Sequence, residues 1–159
     1  MTSGQLSVNV AINSWQLVVE RLDRVFSRLS EAQSSKEVAP GKNRLIYLLG
    51  HLTALNDAMF PILGLGARLH SELDATFVST PDKSAQLPAL HELKKYWSEV
   101  NSRLLSEFRN LSADGWLLRH YAISEDDYAK EPTRNRLAVL LSRTNHMSYH
   151  LGQINLAIA

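Results

Sequence analysis

The sequence predicts an all-α protein, a four-helix bundle with a long loop before the last helix. Four long segments place apolar residues at steps of three and four, which is the period of an amphipathic helix, and no segment shows the alternation typical of a strand. The chain has 159 residues, of which 45% are hydrophobic, so it can bury one core. No repeat or domain boundary interrupts it, and we predict a single domain over residues 1–159.

The first two predicted helices are separated by a turn that contains proline and glycine. The first helix spans residues 5–34 and ends before the sequence Ala-Pro-Gly at residues 39–41. The second spans residues 44–60, with Asn43 as its N-cap. Pro61 lacks the amide hydrogen that a continuing helix needs, so we expect it to end or kink this helix.

The second half of the chain is predicted to hold a short helix and two long ones. The short helix, at residues 67–73, follows a glycine-rich turn, and the long third and fourth helices span residues 89–110 and 134–159. Residues 111–133 between them have no clear period, and connections of this length are often functional. Three apolar residues of this connection are expected to dock on the helices: Trp116, Leu117 and Leu118.

Charge and composition exclude several classes of function. The formal net charge is +1, whereas a nucleic-acid-binding surface needs a clustered basic stripe. There is no cysteine, which excludes disulfides, thiolate metal sites and a cysteine nucleophile. The first residues lack a signal-peptide pattern, and the strongly apolar stretches are shorter than the roughly 20 residues of a membrane span. We therefore expect a cytoplasmic protein with neither nucleic acid nor membrane as a partner.

Three histidines form the candidate metal site. His146 and His150 are four residues apart on the fourth helix, so their imidazoles lie on one face, a turn apart, and can ligate one ion. The residue after His146 is Met147, so the glutamate base of an HExxH metalloprotease is missing. His51 lies at the edge of the apolar stripe of the second helix, where it could join the other two. Three protein ligands with an open position are typical of a catalytic metal site.

An alternative interpretation of these histidines stays open. A pair at this spacing often occurs by chance, and each ring could be a hydrogen-bonded core residue. The other three histidines, His70, His91 and His120, are interpreted as surface or packing residues.

Two short motifs resemble the DinB-like (DinB/YfiT) superfamily. Residues 145–154 read Asn-His-Met-Ser-Tyr-His-Leu-Gly-Gln-Ile, similar to the last-helix signature of that family, and residues 48–52 read Leu-Leu-Gly-His-Leu, similar to its second-helix signature. The sequence Gly-Leu-Gly-Ala-Arg-Leu at residues 64–69 resembles one branch of it. Leu151 departs from the pattern, since many relatives have a basic or polar residue there.

The resemblance implies a four-helix bundle of unusual connectivity that acts as a homodimer. It also implies a divalent ion, nickel or zinc, held by His51, His146 and His150. Some family members are transferases or isomerases that use a low-molecular-weight thiol such as mycothiol or bacillithiol, and others are described as metal-dependent hydrolases. We therefore predict a metal-dependent enzyme of the thiol-dependent S-transferase or hydrolase type. The alternative is a non-catalytic metal-binding module that acts in dimerisation or stress response.

Four further residues are candidates for substrate contact or for support of the metal ligands. Arg143, one turn before His146, could contact an anionic substrate group, although the interpretation as a surface arginine on a solvated edge is favoured. Gln153, one turn after His150, could hydrogen-bond a ligand ring or pack the helix. Tyr47 and Tyr149 lie close to the histidines in sequence.

Overall fold

The computed structural model describes residues 1–159 and is built from helices. In chain order they are α1 (Ser3–Arg28), α2 (Glu31–Ser34), α3 (Leu45–Asp57), α4 (Met59–Leu63), α5 (Leu73–Phe77), α6 (Leu90–Asn110), α7 (Ala113–Trp116), α8 (Glu125–Lys130) and α9 (Arg136–Ile158). Two isolated bridges are the only β-type pairs. The all-α prediction is confirmed.

The four long helices contact one another in a closed ring around one core. Helix α1 packs against α9, α9 against α3, α3 against α6, and α6 against α1. Consecutive long helices α1 and α3 therefore lie diagonally, so the connectivity is not a simple up-and-down order. Each helix contributes fully buried side chains to the core, including Trp15, Leu48, Val100 and Ile154. The ring brings α3 and α9, which carry the three candidate ligands, into direct contact.

The ends of the first two helices differ from the prediction. Helix α1 ends at Arg28, because Ser30 caps a separate turn, α2, through the amide of Gln33. Helix α3 begins at Leu45 with Arg44 in the N-cap position, not Asn43. The Arg44 backbone amide and guanidinium both donate to the Asp82 carboxylate, at 2.7 Å. This contact with a residue outside the helix fixes the start of α3.

Pro61 has the predicted effect, but the helix placed after it does not form. Helix α3 stops at Asp57, and Pro61 lies in the separate turn α4, which ends at Gly64 with a left-handed φ of 69°. Residues 67–72 are not helical, so the helix predicted at residues 67–73 is wrong. The Asp57 carboxylate, which is fully buried, accepts from the backbone amides of Leu69 and His70 and from Arg68 Nε. These hydrogen bonds keep residues 67–72 in a non-helical conformation, and α5 begins only at Leu73.

The connection at residues 111–133 contains two short helices, α7 and α8. Trp116 is fully buried, as predicted, but Leu117 and Leu118 are 48% and 53% exposed, so their predicted docking is wrong. Helix α7 ends at Trp116, with Leu117 as its C-cap. The chain turns outward there, which leaves only the tryptophan facing the core.

The segment Leu45–Leu63 is longer and more apolar than the sequence interpretation allowed. By length and composition it could cross a membrane, with a mean hydropathy of 1.2. Within the protein 72% of it is buried, because α3 and α4 face the core and α5. Burial between helices accounts for its apolar character without a membrane.

Candidate metal centre

His51 is held on α3 by the backbone of α5. Its Nδ1 lies 2.8 Å from the carbonyl oxygen of Phe77, and because a carbonyl only accepts, Nδ1 carries the proton. The lone pair of the neutral ring is then on Nε2, which faces α9. Gly50 makes this contact possible: a Cβ at Gly50 would lie 2.3 Å from the ring of Phe77. A glycine before the histidine is therefore required for α5 to approach α3 this closely.

His150 is oriented by a side-chain relay on α9. Its ring is 8% exposed, and its Nδ1 lies 2.8 Å from Gln153 Oε1, so the proton is again on Nδ1 and the lone pair on Nε2. Gln153 Nε2 in turn donates to the Tyr149 hydroxyl at 3.0 Å. The three residues Tyr149, Gln153 and His150 thus form one chain of hydrogen bonds that fixes the tautomer of the ring.

The three imidazoles converge on one point between α3 and α9. The Nε2 atoms of His51 and His146 are 3.2 Å apart, and the candidate ligand atoms of all three rings lie within 4.8 Å of one another. Three nitrogens at bonding distance around one tetrahedral ion would be about 3.3 Å apart. The His51–His146 pair already has this spacing. The other nitrogen–nitrogen distances would have to shorten by at most about 1.5 Å, which small side-chain rotations can supply. The donor set suits a divalent ion that prefers imidazole.

The surroundings of the two histidines on α9 favour their neutral forms. Burial, and after it the positive charges that His150, His51 and Arg143 can carry, together lower the pKa of His146 from 6.5 to about 4. Burial also lowers the pKa of His150, against the opposing effect of its hydrogen bond to Gln153. Only a neutral imidazole can donate a lone pair to a metal, so both shifts keep the site competent at neutral pH.

A family model matches the chain over almost its whole length. The model described as DinB superfamily covers residues 14–154, which include all three histidines. The chain belongs to the DinB superfamily. No curated protein matches it in sequence.

Within this DinB-superfamily chain the two candidate tyrosines have different environments. Tyr47 is buried, and its hydroxyl donates to the Thr80 carbonyl at 2.7 Å, so it anchors the segment after α5. Its ring stacks on His51 at 6.2 Å between centroids. Tyr149 is 63% exposed; its hydroxyl accepts from Gln153, and its ring packs edge-on against His150 at 5.1 Å between centroids. Tyr47 therefore supports the site by packing against the ring of His51, and Tyr149 lies at the solvent-exposed edge of the site.

Arg143 lies on the wall of a cleft beside the histidines. It is half-buried and forms no ion pair within 4.0 Å, and its Nε is buried without a hydrogen-bond acceptor. The cleft has a volume of about 410 Å³ and is lined largely by the connection before α9 and by α9 itself. None of the three histidines lines it, so the cleft does not contain the candidate metal centre; Arg143, one helical turn before His146 on α9, lies between the two.

The remaining histidines do not join the triad. His70 stacks on Tyr96 at 4.0 Å and contacts Glu99, while His91 is exposed at the start of α6. His120 lines the cleft, and burial lowers its pKa. Sequence reasoning missed the Phe77 carbonyl as the acceptor that orients His51. The sequence feature that could have indicated this contact is Gly50, since a glycine inside a helix implies a closely packed neighbour.

Proposed function

We propose that this protein is a metal-dependent enzyme of the thiol-dependent S-transferase or hydrolase type. Its cofactor is a divalent ion, nickel or zinc, held by His51, His146 and His150. The observation that carries the proposal is the convergence of three imidazoles, two of which have Nδ1 hydrogen-bonded to acceptors outside the site. Acceptors of this kind orient metal-binding histidines and raise their basicity.

The composition of the cluster favours catalysis over a purely structural role. Structural zinc sites close with four protein ligands, whereas this cluster has three, with no carboxylate among them. An ion bound here would supply Lewis acidity and favour the anionic form of a coordinated thiol or water. A chain without cysteine has no thiol nucleophile of its own, which fits the use of a low-molecular-weight thiol as co-substrate.

The chain's own residues would orient the reactants and limit access to water. The Phe77 carbonyl and Gln153 hold two ligand rings in one tautomer, so no proton has to leave the ring before an ion binds. The cleft beside Arg143 offers a volume within the range of small-molecule sites, about 300–1,000 Å³. A substrate seated there would lie one helical turn from His146.

The second candidate function is a non-catalytic metal-binding module acting in dimerisation or stress response. A cluster of three histidines without a bound substrate could also sense a metal. This candidate requires that the loaded protein turn over neither thiol nor ester substrates. The cleft beside the centre favours the enzyme.

Elemental analysis of the purified, untagged protein tests the metal centre. We expect near-stoichiometric nickel or zinc in the wild type and its loss in the double variant His146→Ala/His150→Ala. The control is His91→Ala, because His91 is exposed and lies outside the cluster. Absence of metal from the wild type after incubation with both ions would refute the proposal. With metal present, thiol-transfer and ester-hydrolysis assays distinguish the enzyme from the sensor.

We also propose that the protein is a cytoplasmic homodimer. Exposed apolar residues recur on one stripe of α1, at Leu6, Val10 and Leu17, and a second copy of the chain would cover them. Sedimentation of the wild type beside Val10→Glu tests this assembly. A monomeric wild type, or a dimer unchanged by the substitution, would exclude this surface.

A further inference from the structure

The cleft beside the metal centre combines unpaired positive charge with an apolar wall. It is lined by residues of the connection before α9, by α9 and by one residue of α4: Ile62, His120, Ala122, Glu131, Thr133, Arg134, Ala138, Val139, Ser142 and Arg143. Its volume is about 410 Å³. That is enough for a molecule of small-metabolite size.

Two arginines in this lining have no carboxylate partner in the protein. Neither Arg134, which is exposed, nor the half-buried Arg143 forms an ion pair within 4.0 Å, whereas the half-buried Arg44 and Arg68 each do. Glu131 is the only acidic residue in the lining, so the cleft carries a net positive charge when His120 is neutral. A half-buried guanidinium normally has an anion or acceptor beside it, because desolvating a charge without one is costly. Arg143 Nε is buried with no acceptor.

Another part of the lining is apolar. Ile62, Ala138 and Val139 are each partly buried around the core cluster and present carbon surface to the cleft. Arginine recognises carboxylate and phosphate groups through its planar fork of N–H donors. The ligand that fits both walls has an apolar body and one anionic oxygen group.

We propose that this cleft binds a small organic acid, with its carboxylate or phosphate group on Arg143 and Arg134 and its apolar body against Ile62 and Val139. The inference rests on the proposed function in one respect, that the acid is the substrate of the metal centre. Arg143 precedes His146 by three residues, which on a helix is a rise of about 4.5 Å. Arg143 is also the residue of the lining nearest in sequence to His146, so the anionic end of the acid is the end that lies toward the histidines.

Calorimetric titration of the metal-loaded protein with benzoate and with phenyl phosphate tests the cleft. Benzamide, with the same ring and no charge, is the control ligand. We expect binding of at least one anion and at least a 10-fold weaker affinity in Arg143→Gln, since a charge-assisted hydrogen bond contributes roughly that much. Arg143→Lys should retain part of the affinity, Arg134→Gln should weaken it, and the exposed Arg21→Gln should leave it unchanged.

The same titrations on metal-stripped protein separate the cleft from the metal. Binding that persists without metal and depends on Arg143 supports the cleft, even if elemental analysis refutes the metal centre. Anion binding that needs metal and is unaffected by Arg143→Gln would place the anion on the ion and overturn the inference. Equal affinity for benzamide and benzoate, or no binding of either anion, would overturn it as well. The preference between benzoate and phenyl phosphate identifies the anionic group.

Discussion

Replacing Gly50 by alanine tests whether the contact between α3 and α5 positions His51. In an ordinary helix interior this substitution stabilises a protein by about 0.5–1 kcal/mol, because glycine loses more backbone entropy on folding. Here the new Cβ would lie 2.3 Å from two ring carbons of Phe77 and 2.6 Å from a third. Carbon atoms pack at roughly 3.5–4.0 Å, so the ring must move by more than about 1 Å.

Phe77 has no free space to move into, because its side chain is fully buried. Overpacking of a core costs typically 1–3 kcal/mol, which exceeds the gain in helix propensity. We expect a net destabilisation of about 1–2 kcal/mol, or a fall in melting temperature of roughly 2–8 °C for a chain of this size. Because the buried ring cannot rotate into free space, the backbone of α5 must move, and with it the carbonyl that accepts from His51, so metal affinity should fall in the same variant.

Gly152→Ala is the matched control. Gly152 lies in the interior of α9, and a Cβ there would meet nothing within 4 Å. The same substitution should therefore stabilise the protein by about 0.5–1 kcal/mol. Urea unfolding of the metal-free proteins measures both effects without the contribution of bound ion. If Gly50→Ala were as stabilising as Gly152→Ala, the close approach of α5 to α3 would be wrong.

Three further changes test the support of the site. Gln153→Ala should weaken metal binding about 10–100-fold, measured by competition with a chromophoric chelator, and an unchanged affinity would remove Gln153 from the site. Asp57→Asn should cost about 3–5 kcal/mol in urea unfolding, since it breaks a buried ion pair, whereas the partly exposed Asp74→Asn should cost less; equal effects would contradict this ranking. The folded-state pKa of His146, about 4, lies below its ordinary 6.5, so the unfolded chain binds more protons between these values. Metal-free stability should therefore be retained above pH 6.5 and fall as the pH drops toward 4, and His146→Gln should flatten that part of the profile.

The predictable part of the site was the part that depends on local helix geometry. His146 and His150 share a face because they are four residues apart on one helix, whatever the rest of the fold does. His51 was predicted at the edge of the apolar stripe of its helix, but its distance to His146 depends on how α3 packs against α9. The motifs shared with the DinB superfamily indicated that the two helices bring these histidines together, since periodicity alone does not determine which helices pack against each other.

The errors lie where long-range contacts override local preference. Residues 67–73 have a helical pattern, yet the Asp57 carboxylate binds two amides of this segment and prevents a helix. Asn43 is a better N-cap residue than Arg44 in general, but the ion pair of Arg44 with Asp82 fixes the entry to α3 one residue later. In both cases a partner distant in the sequence decides the backbone, and no local window contains it.

The charges around the centre favour an anionic ligand. A divalent ion held by the three imidazoles would keep its full charge, because the cluster contains no carboxylate. Arg143 adds a further positive charge close enough to lower the pKa of His146, and no acidic side chain of the protein pairs with it. An anion from solution would balance this charge. The histidine cluster, if it holds a divalent ion, and the arginine of the cleft would thus favour an anionic ligand through two different sets of residues.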